Sequence, residues 1–229
     1  MADGRRHQEY HIQARFGSPF PLNEYPLDEQ DLVIQIEDIS NGVEDLVFVV
    51  DGAQSKMRPS LTVPGWVPEP LQGQVSVSRY ETSFGGDGVA YSEYSALEFR
   101  SHISRPAAGA LAKTVLPIFI VMFLTLTAFF ISPDFIDSRV GITVTALISA
   151  VALQLSANAE LPAIGYLTLL DKVYLLSYAI VLAATATVTV SHRLATHGKM
   201  AQAAAIDRAV LCGLSAVLVL GTASLLHFR

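Results

Sequence analysis

The stretch that decides the fold is DFIDSRVGITVTALISAVALQLSANAELP, residues 134–162. It carries Asp134, Asp137 and Arg139 at its start and then no charge until Glu160. Twenty helical residues at 1.5 Å each cross a hydrocarbon core of about 30 Å, so 140–159 is long enough to span a membrane. Yet Thr143, Thr145, Ser149, Gln154 and Ser156 interrupt the apolar run. On a helix, where each residue turns by about 100°, Asp137, Gly141, Thr145, Ile148, Ala152, Leu155 and Ala159 fall on one stripe. Ser149 and Ser156 flank that stripe, and Thr143 and Gln154 lie on the back. One face therefore opens with a carboxylate, continues through a small residue and a hydroxyl, and turns apolar midway.

Outside this stretch the composition divides in two. The chain has 229 residues, 51% of them hydrophobic and only 16% charged, well under the quarter usual for soluble domains. Residues 1–112 hold 16 acidic and 8 basic side chains, whereas 113–229 hold 5 and 7. The expectation is a soluble acidic β domain over 1–112 and a four-helix membrane domain over 113–229. Four stretches without Asp, Glu, Lys or Arg are long enough to span: 114–133, 140–159, 173–191 and 209–226. The link after the third, SHRLATHGKMAQAAAIDR, holds Arg193, Lys199 and Arg208 against Asp207. Positive loops stay cytoplasmic, which puts the soluble domain and the C-terminus outside, across the cell (inner) membrane. No apolar stretch of signal-peptide length lies near Met1, and an N-terminally truncated chain is one reading of that.

The front reads as antiparallel β structure. EYHIQARF, DLVIQIED, EDLVFVVD, QVSVSRYETSF and YSALEFRSHIS alternate apolar and polar residues and predict about five strands. A complete sandwich has seven or more, so the expected fold is a partial β-sandwich followed by a transmembrane bundle. GSPFPLNEYPLDEQ and MRPSLTVPGWVPEP are proline-rich and read as connections. SFGGDGVAYSEY reads as a hairpin tip, with Gly85, Gly86 and Gly88 in the turn. Scattered histidines and the absence of a phosphate loop or nucleophile–base set predict no metal, no cofactor and no enzyme chemistry. The acidic balance speaks against nucleic acid. Cys212, alone in the last span, reads as a small apolar residue, and no intrachain disulfide is possible.

A polar stripe on a membrane helix has two readings. Small residues permit close helix packing. A carboxylate near membrane depth, however, usually faces water or a partner. In a ring of identical helices Asp137 becomes a ring of carboxylates, Thr145 a ring of hydroxyls and Ile148 an apolar collar able to close by dewetting. That ring describes an ion pore.

With that stripe in view, SRVGITVTALISAVALQLSANAELP resembles the second, pore-lining helix of the pentameric ligand-gated ion channels, the Cys-loop receptor superfamily. KTVLPIFIVMFLTLTAFF is similar to the first helix, with Pro117 as its proline. ELPAIGYLTLLDKVYLLSYAIVL is similar to the outer loop and third helix, and PFPLNEYPLDEQDLVIQIED to the signature loop of the outer domain. That loop lacks its two cysteines and the last helix connection is short, as in bacterial members. Against the family's pattern, the strands that would precede residue 8 are not present.

The resemblance implies a homopentamer in lipid that passes monovalent cations in response to a small agonist or protons. Asp137 would form the selectivity ring, since anion-selective members carry Pro-Ala where this chain has Asp137-Ser138. Gly141, Thr145, Ile148, Ala152 and Leu155 would line the pore, with Ile148 as gate. Asp28, Arg105, Pro162 and Tyr166 would couple the domains, Asp28 pairing with Arg105. Phe84, Tyr91 and Tyr94 would hold the agonist, through aromatic faces if it is cationic. The alternatives are a subunit that inserts without gating, a four-helix membrane sensor or an accessory protein.

Overall fold

The computed structural model describes residues 8–38, 40–82 and 92–227. Phe84, Tyr91 and the glycine-rich hairpin tip lie outside the described residues. By contacts the chain forms two compact units. One takes Glu29–Ser104 with the chain up to Pro21, and the other takes Leu22–Asp28 together with Arg105 onward.

The first unit is an antiparallel sheet of four strands among the described residues: β1 (Glu29–Glu37), β2 (Val67–Pro68), β3 (Gln72–Tyr80) and β4 (Ser92–Ser104). The long β4 pairs with the other three, with Glu37 opposite Ala96 on β1 and Ser76 opposite Ala96 on β3. Ala96 is fully buried. Glu37 accepts from Ser78 Oγ and Gln35 Nε2 and, at 2.7 Å, from Tyr80 Oη. One carboxylate thus ties β1 to β3. Burial pushes the Glu37 carboxyl up, but the bonds from Ser78, Tyr80 and Gln35 outweigh it and hold it below the usual range.

Two expected strands do not form. EYHIQARF (9–16) is exposed and has no ladder partner, and alternation alone cannot make a strand without one. EDLVFVVD (44–51) runs beside β4 through isolated bonds, Val43 N–H to Glu93 O and Phe48 N–H to Ser95 Oγ, both 2.9 Å. Its Val50 packs where a side chain on Gly73 would stand: a Cβ there meets Val50 Cγ1 at 2.9 Å and Phe99 Cε1 at 3.0 Å. Conversely, the proline-rich connection contributes the short β2, closing on β4 at Ser104 and Ile103.

The second unit holds four helices long and apolar enough to cross a membrane. These are α1 (Ala107–Phe130), α2 (Ile136–Asn158), α3 (Leu169–Thr196) and α4 (Met200–His227). The chain is a multi-pass membrane protein with a β domain. Helix α1 starts seven residues before the expected 114, directly after Pro106, because Ala107–Ala112 contain no breaker except the tolerated Gly109. It widens into a π turn over Leu111–Val115, where Pro117 lacks the N–H that an α ladder needs. Helix α3 starts before 173 because Thr168 and Asp171 form a reciprocal capping box. It ends at Thr196, and Gly198 just beyond, with φ of 75°, turns the chain so that Lys199 N–H reaches Leu194 O. Residues 200–208, an alanine-rich run that carries Gln202, Asp207 and Arg208, extend α4 ahead of the expected 209.

Candidate functional site: the polar face of α2 and its anchors

Helix α2 has two sharply different faces. Arg139, Thr143, Ala146 and Ala150 are buried against the bundle. Asp137, Gly141, Thr145, Ile148, Ala152 and Leu155 are all exposed, Ile148 to 65% and Leu155 to 67%. The stripe read from the sequence is therefore one continuous outward face of this chain. Thr143, expected on the back, is buried, and Gln154 accepts from Tyr178 Oη of α3.

The N-terminal end of α2 is fixed by Arg139, whose role the sequence did not reveal. Arg139 is fully buried, and its Nη2 lies 2.8 Å from Asp207 Oδ2 on α4. Its Nε donates to Ala128 O at 3.0 Å and its Nη1 to Ser191 Oγ at 3.2 Å, while Ser191 donates to the same Asp207 oxygen. The guanidinium also lies over Phe129 at 5.7 Å. One side chain thereby joins all four helices. Asp134 and Asp137 are the carboxylates nearest to Arg139 in sequence, but its carboxylate partner in this chain is Asp207. The available signal was that a guanidinium at membrane depth needs a partner, and Asp207 is the only carboxylate of the fourth helix.

At the other end, the loop Leu22–Asp28 packs into the helical unit. Leu22 and Tyr25 are buried among Val115, Ile118, Leu170 and Tyr174. Asn23 O and Tyr25 O accept from the N–H groups of Leu169 and Leu170, satisfying donors at the start of α3. Asp28 is 2% exposed, and its Oδ1 receives Arg105 Nε at 2.6 Å. Arg105 also stacks over Tyr25 at 5.1 Å. Tyr166 Oη accepts Leu22 N–H at 2.9 Å. The structure thus gathers Asp28, Arg105 and Tyr166 around one loop, whereas Pro162 is exposed.

Of the aromatic residues expected to meet a ligand, Tyr94 is half-buried on β4, 6.1 Å from the Tyr80 ring. Tyr80 and its partner Glu37 were not singled out from the sequence, because neither lies in the glycine-rich tip. No group of His, Cys, Asp and Glu able to hold a metal occurs among the described residues.

Comparison with known proteins agrees with this architecture. No family model matches the chain. A proton-gated ion channel of Gloeobacter violaceus is 27% identical over 198 residues, covering 86% of this chain and 53% of that protein. A gamma-aminobutyric acid receptor subunit beta-like protein of Drosophila melanogaster is 24% identical over 170 residues, covering 71% of this chain and 31% of that protein. The chain spans about half the length, or less, of these curated relatives. With its antiparallel β unit and four membrane helices, the chain is similar in sequence to these two proteins, one named as an ion channel and the other as a receptor subunit.

Proposed function

We propose that this chain is a subunit of a homopentameric, ligand-gated, cation-selective ion channel whose pore is lined by α2. The observation that carries the reading is the outward face of α2, which runs from the Asp137 carboxylate through Gly141 and Thr145 to Ile148, Ala152 and Leu155. A helix facing only lipid has no use for a carboxylate and hydroxyls on its exposed side. Five such faces around an axis give them water and ions instead. Asp137 is the selectivity ring, and its field is not cancelled within the chain because Arg139 is held by Asp207. Ile148 is the gate.

The β unit and the C-terminus lie outside the cell membrane, and Arg193, Lys199 and Arg208 mark the inner side. Domains divide near 112, the β domain receiving a small agonist or protons around Tyr94 and the residues Phe84 and Tyr91. Asp28, Arg105, Pro162 and Tyr166 pass that event to the helices. The relatives carry the names of a channel and a receptor subunit, and no enzyme activity is assigned. The mass of the purified detergent complex tests the assembly. Five copies are expected; a species that remains monomeric in detergent and in lipid nanodiscs overturns it.

A further inference from the structure

We propose that His102 is a proton-operated clasp that fastens the end of β1 to β4. His102 stands directly opposite Asp31 in the β1–β4 register. Both ring nitrogens face carboxylates of β1: Nδ1 lies 2.9 Å from Asp31 Oδ1, and Nε2 lies 3.3 Å from Glu29 Oε2. Nδ1 is hydrogen-bonded to Asp31 and Nε2 lies at ion-pair distance from Glu29, so both carboxylates attract the protonated imidazolium. The neutral ring donates to one carboxylate and turns a lone pair on the other. The geometry favours the charged form, which alone is attracted to both carboxylates.

The surroundings favour the same state. Glu29 and Asp31 on β1 and Glu69, beyond β2, are the acidic groups facing the ring. The cation among them, Arg100 of β4, is shared between Asp31 at 3.3 Å and Glu98 at 2.9 Å. The hydrogen bond to Asp31 raises the His102 pKa above its ordinary 6.5, desolvation opposes this, and Glu29, Glu69 and Asp31 add to the rise. The ring borders a groove of about 640 Å³ lined also by Phe16, Ser18, Pro19 and Gln35, through which solvent protons reach it.

The sign follows from the raised value. The extra stability is fully present below the unfolded value near 6.5 and is lost as pH rises through the folded pKa. Above it, Glu29 and Asp31 face a ring that satisfies only one of them. These are partly exposed pairs, each worth little alone, so the expected effect is a several-fold loosening of the ladder end rather than unfolding. Its place matters because His102 and Asp31 each stand three residues along the chain from Arg105 and Asp28. The clasp is independent of the channel reading: it concerns a strand pair and is read without ion flux.

The full chain in lipid nanodiscs, labelled on its histidine rings, is titrated by NMR. Amide exchange of Gln30–Leu32 and Ser101–Ile103 is compared at about pH 5.5 and about pH 8.5, after correction for intrinsic rates. The proposal expects His102 to titrate above 6.5 and those amides to lose protection several-fold at the higher pH. His102→Gln removes that pH dependence, and His102→Lys, charged at both values, keeps the protection at high pH. Titration of His102 at or below 6.5, or an unchanged pH dependence in His102→Gln, overturns the clasp. If neither variant folds, the wild-type titration decides alone.

Discussion

Arg139 of α2 and Asp207 of α4 form a buried ion pair at 2.8 Å, and the same guanidinium holds Ala128 O and Ser191. Removing one partner leaves an uncompensated charge inside the bundle, which costs about 3–5 kcal/mol. Arg139→Ala and Asp207→Asn are each expected to lower the unfolding midpoint of the detergent-solubilised protein strongly. The apolar double replacement Arg139→Met with Asp207→Leu recovers much of that loss. Equal destabilisation in the double and single variants contradicts the pairing.

Asp28 and Arg105 offer a second pair, 2.6 Å apart with Tyr25 against the guanidinium. Contacts within one network couple by about 0.5–3 kcal/mol. A double-mutant cycle of Asp28→Asn and Arg105→Gln, read by thermal unfolding and by the agonist or proton midpoint of ion flux, is expected to show coupling in both readouts. Coupling in stability alone assigns the pair to structure and removes it from gating.

What the sequence made legible differs between these two anchors. The α2 stripe could be read because a helix turns by a fixed angle, so a run of residues names its own faces. The pairing of Asp28 with Arg105 came from resemblance to a family, and the geometry now shows the bond itself. The partner of Arg139 was not legible because it lies 68 positions away on another helix, and no local periodicity carries that distance. The lost strands teach the same lesson. EYHIQARF and EDLVFVVD alternate as strands do, but strand formation depends on a free edge elsewhere, and β4 already has partners on both sides. Helix ends were misjudged where charged or polar residues continue a helix, as in 200–208 of α4.

Ile148, exposed to 65% on the α2 face, is the apolar collar of the proposed pore. An apolar side chain of this size contributes roughly 1.5–3 kcal/mol when shielded from water. Each 1.4 kcal/mol is about a factor of ten. Ile148→Ser in every subunit is expected to raise ligand-free flux into liposomes at least about tenfold. Resting flux equal to wild type, with normal reconstitution, argues against a gate at this position.

The claim that α2 lines a cation pore, with Asp137 at its selective end, is tested most directly by the reversal potential. Purified protein reconstituted in planar bilayers is recorded under a potassium chloride gradient, as wild type and as Asp137→Lys. The account predicts a wild-type reversal near the cation equilibrium potential and a shift toward the anion potential when the ring of carboxylates becomes a ring of ammonium groups. A conductance whose reversal potential is the same in both proteins would contradict it.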